Sequence, residues 1–119
     1  MYNVKDFFIH ALSTLNSNLN IENITSKCTI QDGIKDAKII KYGKLVYVFF
    51  QVSCTGNTII NAITGLPYCL TGYFVSSIYK DALPYIPTQS SAWISGNHVD
   101  IYTKETLSNA YVSFSYICN

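Results

Sequence analysis

The chain contains no arginine: its eight cations are all lysine, set against seven carboxylates, for a net charge of +1 over 119 residues. That balance is too small and too evenly spread to build the basic stripe that a phosphate backbone requires, which argues against nucleic acid as a partner. No apolar run approaches the roughly 18 residues of a membrane span. Met1 to His10 carries Asp6 and lacks the charged-then-apolar layout of a secretion signal. The sequence therefore predicts a protein made in the cytoplasm, with no membrane insertion. The triplet Asn23-Ile24-Thr25 matches a glycosylation sequon, but without a signal sequence it is discounted.

Motifs of chemistry are missing as well. There is no GxGxxG, GxxxxGK[ST], HExxH, GxSxG or EF-hand loop. The four cysteines, at positions 28, 54, 69 and 118, match no CxxC redox or zinc spacing and read as buried free thiols. Two histidines and scattered carboxylates offer no ligand spacing, so neither metal nor cofactor is expected. The lack of arginine beside plentiful Lys, Asn, Ile and Tyr points to an AT-rich coding genome, not to an activity.

What is present is apolar, aromatic and mostly strand-like. Hydrophobic residues make up 49% of the chain and charged ones 13%, enough apolar surface to offset the entropy of ordering one domain of this length. Residues 4 to 19 place Val4, Phe7, Phe8, Ala11, Leu12, Leu15 and Leu19 at steps of three and four, the spacing of one helical face. Within that stripe Val4, Phe8, Ala11 and Leu15 also form the seam of a short coiled coil, a candidate for self-association. Asn16, Asn18, Asn20 and Asn23 end the helix and mark a linker over 18–26.

From Ala37 onward the period changes to two. Val46, Val48, Phe50 and Val52 alternate with Leu45, Tyr47, Phe49 and Gln51; both faces are apolar, so this strand is expected at the centre of a sheet. Tyr42-Gly43 supplies a hairpin turn ahead of it, and Gly96-Asn97 is the strongest two-residue turn of the chain. Further turns are signalled at Gly56-Asn57, Thr64-Gly65-Leu66-Pro67 and Thr71-Gly72. Leu83 to Pro87 holds two prolines and is expected as a loop or a sheet edge. The last run sets Val112, Phe114, Tyr116 and Cys118 on one face against Tyr111, Ser113, Ser115 and Ile117 on the other. About seven short strands follow, and with them a mainly β fold: an antiparallel β-sandwich of jelly-roll type, with a small barrel as the other closure, preceded by one short N-terminal α-helix. The expected division is 1–26 for helix and linker and 27–119 for the β head.

Ten tyrosines and Trp93 offer flat amphipathic surfaces of the kind that stack on sugar rings or anchor interfaces. Tyr47, Tyr73, Tyr79, Tyr85, Tyr102 and Tyr111 are the candidates, though β-propensity alone accounts for many strand tyrosines. His98 and Asp100, two apart in a strand, fall on one face. The polar face of a hairpin explains that pair without catalysis. A sugar hydrolase would need paired carboxylates, and Asp81, Asp100 and Glu105 are the only acids in the strand-rich second half.

The string Lys41-Tyr42-Gly43-Lys44-Leu45-Val46-Tyr47-Val48-Phe49-Phe50-Gln51-Val52, then Leu66-Pro67 and Thr71-Gly72-Tyr73, closing on Tyr111-Val112-Ser113-Phe114-Ser115-Tyr116, resembles the C-terminal receptor-binding heads of bacteriophage tail-fibre and baseplate proteins. The resemblance spans roughly residues 36 to 119. It implies a non-enzymatic homotrimer of β-sandwich heads on a helical neck, carried on the virion with other tail proteins and binding a host-surface saccharide or protein. On the residues themselves, Trp93, His98, Asp100, Tyr102 and Tyr73 are the candidate ligand contacts. Two other functions fit the same sequence: a ligand-free assembly or capping domain of a fibre, and a small carbohydrate-binding β-domain of bacterial origin.

Overall fold

The computed structural model describes residues 21–82 and 85–119, so the expected helix over 4–19, with its seam of Val4, Phe8, Ala11 and Leu15, lies outside the described residues. The described chain is mainly β and antiparallel, with no α-helix. Its elements are β1 (Ile21–Asn23), a 3-10 turn (Thr25–Lys27), β2 (Thr29–Ile30), β3 (Ile34–Tyr42), β4 (Leu45–Thr55), β5 (Ile59–Thr64), β6 (Tyr73–Ala82), β7 (Tyr85–Ser95), β8 (His98–Tyr102) and β9 (Thr106–Ile117). All nine strands belong to one sheet, in the order β1-β3-β4-β9-β6-β7-β8-β5-β2.

The period-two pattern forms the core. On β4 the side chains of Val46, Val48, Phe50 and Val52 are fully buried, and β9 sets Val112, Phe114 and Tyr116 beside them through the pairs Val46↔Tyr116, Val48↔Phe114 and Phe50↔Val112. Each such burial contributes about 1.5–3 kcal/mol. The other flank of the sheet adds Ile63, Ile78, Ile94, Val99 and Ile101 to the same apolar cluster. Between the flanks, β6 and β9 share one registered pair, Tyr79↔Tyr111. The sheet is thus continuous but curled, with its core on the concave side. The expectation of two stacked sheets is met in its coarser part, an antiparallel β domain around one core.

The curl brings the sheet's two edges together. β1 pairs with β3 at one end and β2 with β5 at the other, yet only residues 24–28 separate β1 from β2. Six residue steps span at most about 20 Å. Ile24 is buried, its N–H donates to the Ile39 carbonyl at 2.9 Å, and the Ile39 N–H donates to Thr25 Oγ1 at 2.8 Å. On the far side, the Lys27 carbonyl lies against Gly65, just past β5. The exposed Lys27–Glu22 ion pair at 3.5 Å adds at most about 1 kcal/mol, so the apolar side chain and the backbone bonds hold this seam. Residues 21–26, expected to lie in a linker, are therefore the joint of the sheet. Asn-rich sequence reads as a turn, and here the turn is built into the fold.

One more expectation changes. The strands are longer than the turn signals suggest, because β3, β4, β5 and β6 continue through register shifts that bend them without ending them. Pro87, expected in a loop or an edge, lies in β7 at a stretch that is an edge. There β7 pairs with β6 alone, since its pairing with β8 spans only Ser91 to Ser95, so the missing N–H costs no ladder bond on that side. The Gly96-Asn97 turn joins Ser95 to His98 and the Gly43-Lys44 turn joins Tyr42 to Leu45, both as two-residue hairpins. All four thiols are free; Cys69 and Cys118 are buried as expected, whereas Cys28 and Cys54 are only half-buried.

Tyr116 donates from its phenol to the Pro67 carbonyl at 2.7 Å. Burial pushes that phenol well above its ordinary value, and the neighbouring sulfurs of Cys118, Cys69 and Cys28 add to the rise. Burial also raises the Cys28 thiol. Because the folded chain holds the Tyr116 proton more tightly than the unfolded chain, its contribution is complete below the ordinary tyrosine value of about 10 and is lost as pH climbs above it. Urea unfolding followed against pH is expected to show a midpoint that falls steeply above about pH 10. In Tyr116→Phe the unfolding free energy starts about 1 kcal/mol lower, for the lost bond, and falls less with pH. Equal alkaline losses in both chains would contradict this assignment.

Candidate functional site

On β7 the even residues Ala92 and Ile94 point into the core, so Trp93 stands on the convex face. Antiparallel register places Asp100 of β8 opposite Trp93, and Val75 of β6 on its other side. From this lattice three rings converge. Tyr73 stacks on Trp93 with centroids 6.0 Å apart and planes at 24°, and Tyr102 meets Trp93 edge-on at 5.7 Å and 76°. Both separations fall in the range of favourable ring contacts, worth about 0.5–1.5 kcal/mol each beyond area burial. The indole Nε1–H donates to Ser91 Oγ at 3.0 Å, which fixes the ring without a ligand. Tyr73 is 62% and Tyr102 42% exposed, while Trp93, in contact with both, is partly exposed.

All five candidate contacts read from the sequence are therefore neighbours. They do different work. Asp100 is buried, and its Oδ1 accepts the Asn61 backbone N–H at 2.8 Å, while Oδ2 lies 3.4 Å from both the Tyr102 hydroxyl and His98 Nε2. Asn61 sits at φ +57° in a bulge of β5, where the register shifts between Ile59 and Ile63. Asn tolerates that left-handed conformation better than most residues. The bulge's carbonyls, Ile60 O and Asn61 O, accept from Gln31 Nε2 at 3.0 and 2.8 Å. Asp100 and Gln31 thus satisfy the backbone groups that the bulge removes from the ladder. Asp100 supports the site from beneath; the exposed contacts are Tyr73 and Tyr102, and Trp93 and His98 are partly exposed.

Next to Tyr102 a surface cavity of about 350 Å³ is lined by Thr58, Gln89, Ser91, Tyr102, Thr103, Lys104 and Glu105. Glu105 Oε2 accepts the Gln89 N–H at 3.2 Å, and the buried Ser90 and Thr103 hydroxyls are bonded at 2.7 Å beneath it. Gln89 and Lys104 were not among the candidates from sequence, and Glu105 was named there only among the acids a sugar hydrolase would need. The one available signal was the charged pair Lys104-Glu105 between two strand runs, which reads as an ordinary solvated turn. The polar cavity continues from the ring platform through Ser91 and Tyr102. Among the described residues no group of three or more His, Cys, Asp or Glu side chains converges as a metal site.

Other candidate tyrosines lie elsewhere. Tyr79 and Tyr111, with Phe49 and Ser113, line a second, more apolar groove of about 300 Å³ where the two flanks of the sheet meet. Tyr47 stands beside Ser113, whose hydroxyl donates to the Tyr47 phenol at 3.3 Å. The side chains of Asp81 and Tyr85 lie outside the described part. No protein-family model matches the chain, and it has no match among curated proteins or solved structures.

If Asp100 is a support for the bulge, its removal acts on stability. Asp100→Ala is expected to cost about 1–3 kcal/mol in urea unfolding, because the Asn61 N–H loses its acceptor, and to speed exchange of that amide. Asp100→Asn, which keeps an oxygen acceptor, should recover most of the loss. An Asp100→Ala chain as stable as the parent, with the Asn61 amide still protected, would contradict the role.

Proposed function

We propose that this chain is a non-enzymatic recognition head that binds a saccharide of a bacterial cell surface, in the manner of a phage tail-fibre or baseplate receptor-binding domain. One observation carries the reading: a platform of Trp93 flanked by the solvent-exposed Tyr73 and Tyr102, which runs into a polar cavity bearing Gln89, Lys104 and Glu105. Sugars present C–H faces that stack on aromatic rings and hydroxyl edges that need donors and acceptors alongside, and a cavity of about 350 Å³ is the size of a small-ligand site. The strand pattern over residues 36–119 adds the likeness to tail-fibre heads. In this reading the curled sheet serves as a β-sandwich head whose two flanks are the layers, and three copies assemble on the virion.

A second observation favours assembly as a further role. On β4 and β9, outside the platform, Leu45 is 40% and Ile117 47% exposed as a cross-strand pair, with Tyr47 and Phe49 half-buried on the same face. Such an apolar face suits contact between copies of the head. A domain that only assembles would use this face and leave the platform idle.

Alanine at Trp93 separates the two. The purified chain is expected to bind a panel of bacterial cell-wall polysaccharides, followed by quenching of its single tryptophan, and to scatter light as a multiple of its 13.3 kDa protomer. Trp93→Ala, assayed by calorimetry, should weaken polysaccharide binding tenfold or more, a loss of about 1.4 kcal/mol, at unchanged mass. Loss of the oligomer, with no polysaccharide bound by the parent chain, would replace recognition with assembly.

A further inference from the structure

We infer that Cys69 and Cys118 are the two halves of an intramolecular disulfide site. They face each other as an antiparallel pair outside the named strands, both buried, at 5% and 1% exposure. The flanking bonds define the type of pair: the Leu70 N–H donates to the Ile117 carbonyl at 2.8 Å, and the Asn119 N–H donates to the Tyr68 carbonyl at 3.0 Å. A pair enclosed by such bonds, exchanging none of its own, is the close type of an antiparallel ladder, with Cα atoms about 4.5 Å apart. That separation lies inside the range of about 4.4–6.8 Å that a disulfide spans without backbone movement. Cys28 and Cys54 have no such partner: Cys28 Sγ contacts the carbonyls of Ile24 and Gly65, and Cys54 pairs across the ladder with Leu107.

Access exists from one side. Cys69 forms part of the wall of a surface cavity of about 220 Å³, with Thr71, Phe74, Ser115, Tyr116 and Ile117. A small-molecule disulfide such as oxidised glutathione reaches Cys69 there. The Cys69 thiolate attacks one glutathione sulfur, expelling the other glutathione as a thiol. The Cys118 thiolate then attacks Cys69 Sγ and releases the second. Two protein thiols lose two protons and two electrons, and one glutathione disulfide becomes two thiols. The cross-link would fasten the strap over 65–72 to the end of β9. That strap is already bonded to the Gly96-Asn97 hairpin through Leu66 N–H to Asn97 O at 3.0 Å and Cys69 N–H to Gly96 O at 2.9 Å. The inference stands on this geometry alone and does not depend on any ligand.

The test equilibrates the full chain with oxidised glutathione, traps remaining thiols with an alkylating reagent under denaturing conditions, and maps the peptides by mass spectrometry. Expected are a Cys69–Cys118 linked peptide, alkylated Cys28 and Cys54, and a melting temperature roughly 5 °C or more above that of the reduced chain. In Cys118→Ser the glutathione should remain on Cys69 as a mixed disulfide. Cys28→Ser with Cys54→Ser should still form the link, which keeps the test open if Cys118→Ser does not fold. Four alkylated cysteines, a lasting glutathione adduct on the parent chain, or a link through Cys28 or Cys54 would each overturn the inference.

Discussion

The fold depends on β9, the last strand, inserting between β4 and β6. Its inward residues complete the apolar face begun by Val46, Val48, Phe50 and Val52, and its single registered pair with β6, Tyr79↔Tyr111, is where the two flanks of the sheet join. This contact is distant in sequence, so its loop-closure entropy must be offset by the core it completes. Burial of Val112, Phe114 and Tyr116 supplies that offset at about 1.5–3 kcal/mol per large side chain, well above anything the exposed ion pair contributes.

Curvature then places the site. Positive-φ residues Asp36, Asn61 and Asn109 fall in β3, β5 and β9, and Asp36 and Asn61 lie within the register shifts that bend β3 and β5. The bulge at Asn61 turns its N–H toward Asp100, which fixes Asp100 beneath Tyr102 and beside His98. The proposed recognition surface therefore rests on strands and on satisfied backbone groups, with its rings held by one another and by Ser91.

Much of this was legible in the residues. Alternation set apart the apolar face of β9 and marked β4 as a strand apolar on both faces, and Gly96-Asn97 named the hairpin that brings His98, Asp100 and Tyr102 opposite Ser95, Trp93 and Ser91. Three things were not legible. A bulge needs one residue in an unusual conformation, and Asn61 looks like any turn former until its partners Gln31 and Asp100 are in place. The joint over residues 24–28 is Asn-flanked and reads as linker, because nothing local says that its two neighbouring strands belong to opposite edges. The cavity beside Tyr102 gathers Thr58 from the β4–β5 connection and Gln89 from β7, and no spacing rule links them to Lys104 and Glu105.

On the proposed function, the face of β6, β7 and β8 carrying Tyr73, Trp93 and Tyr102 is the working surface of the molecule. The most direct measurement is a two-dimensional amide spectrum of the labelled chain titrated with bacterial cell-wall polysaccharide, with the Trp93 indole N–H resolved as the single tryptophan signal. Saturable shifts are expected at that signal and at the amides of Tyr73, Ser91, Tyr102 and Lys104, with β3 and β4 unmoved. Shifts confined to the outer face of β4 and β9, or a Trp93 signal that stays still while polysaccharide binds, would contradict that function.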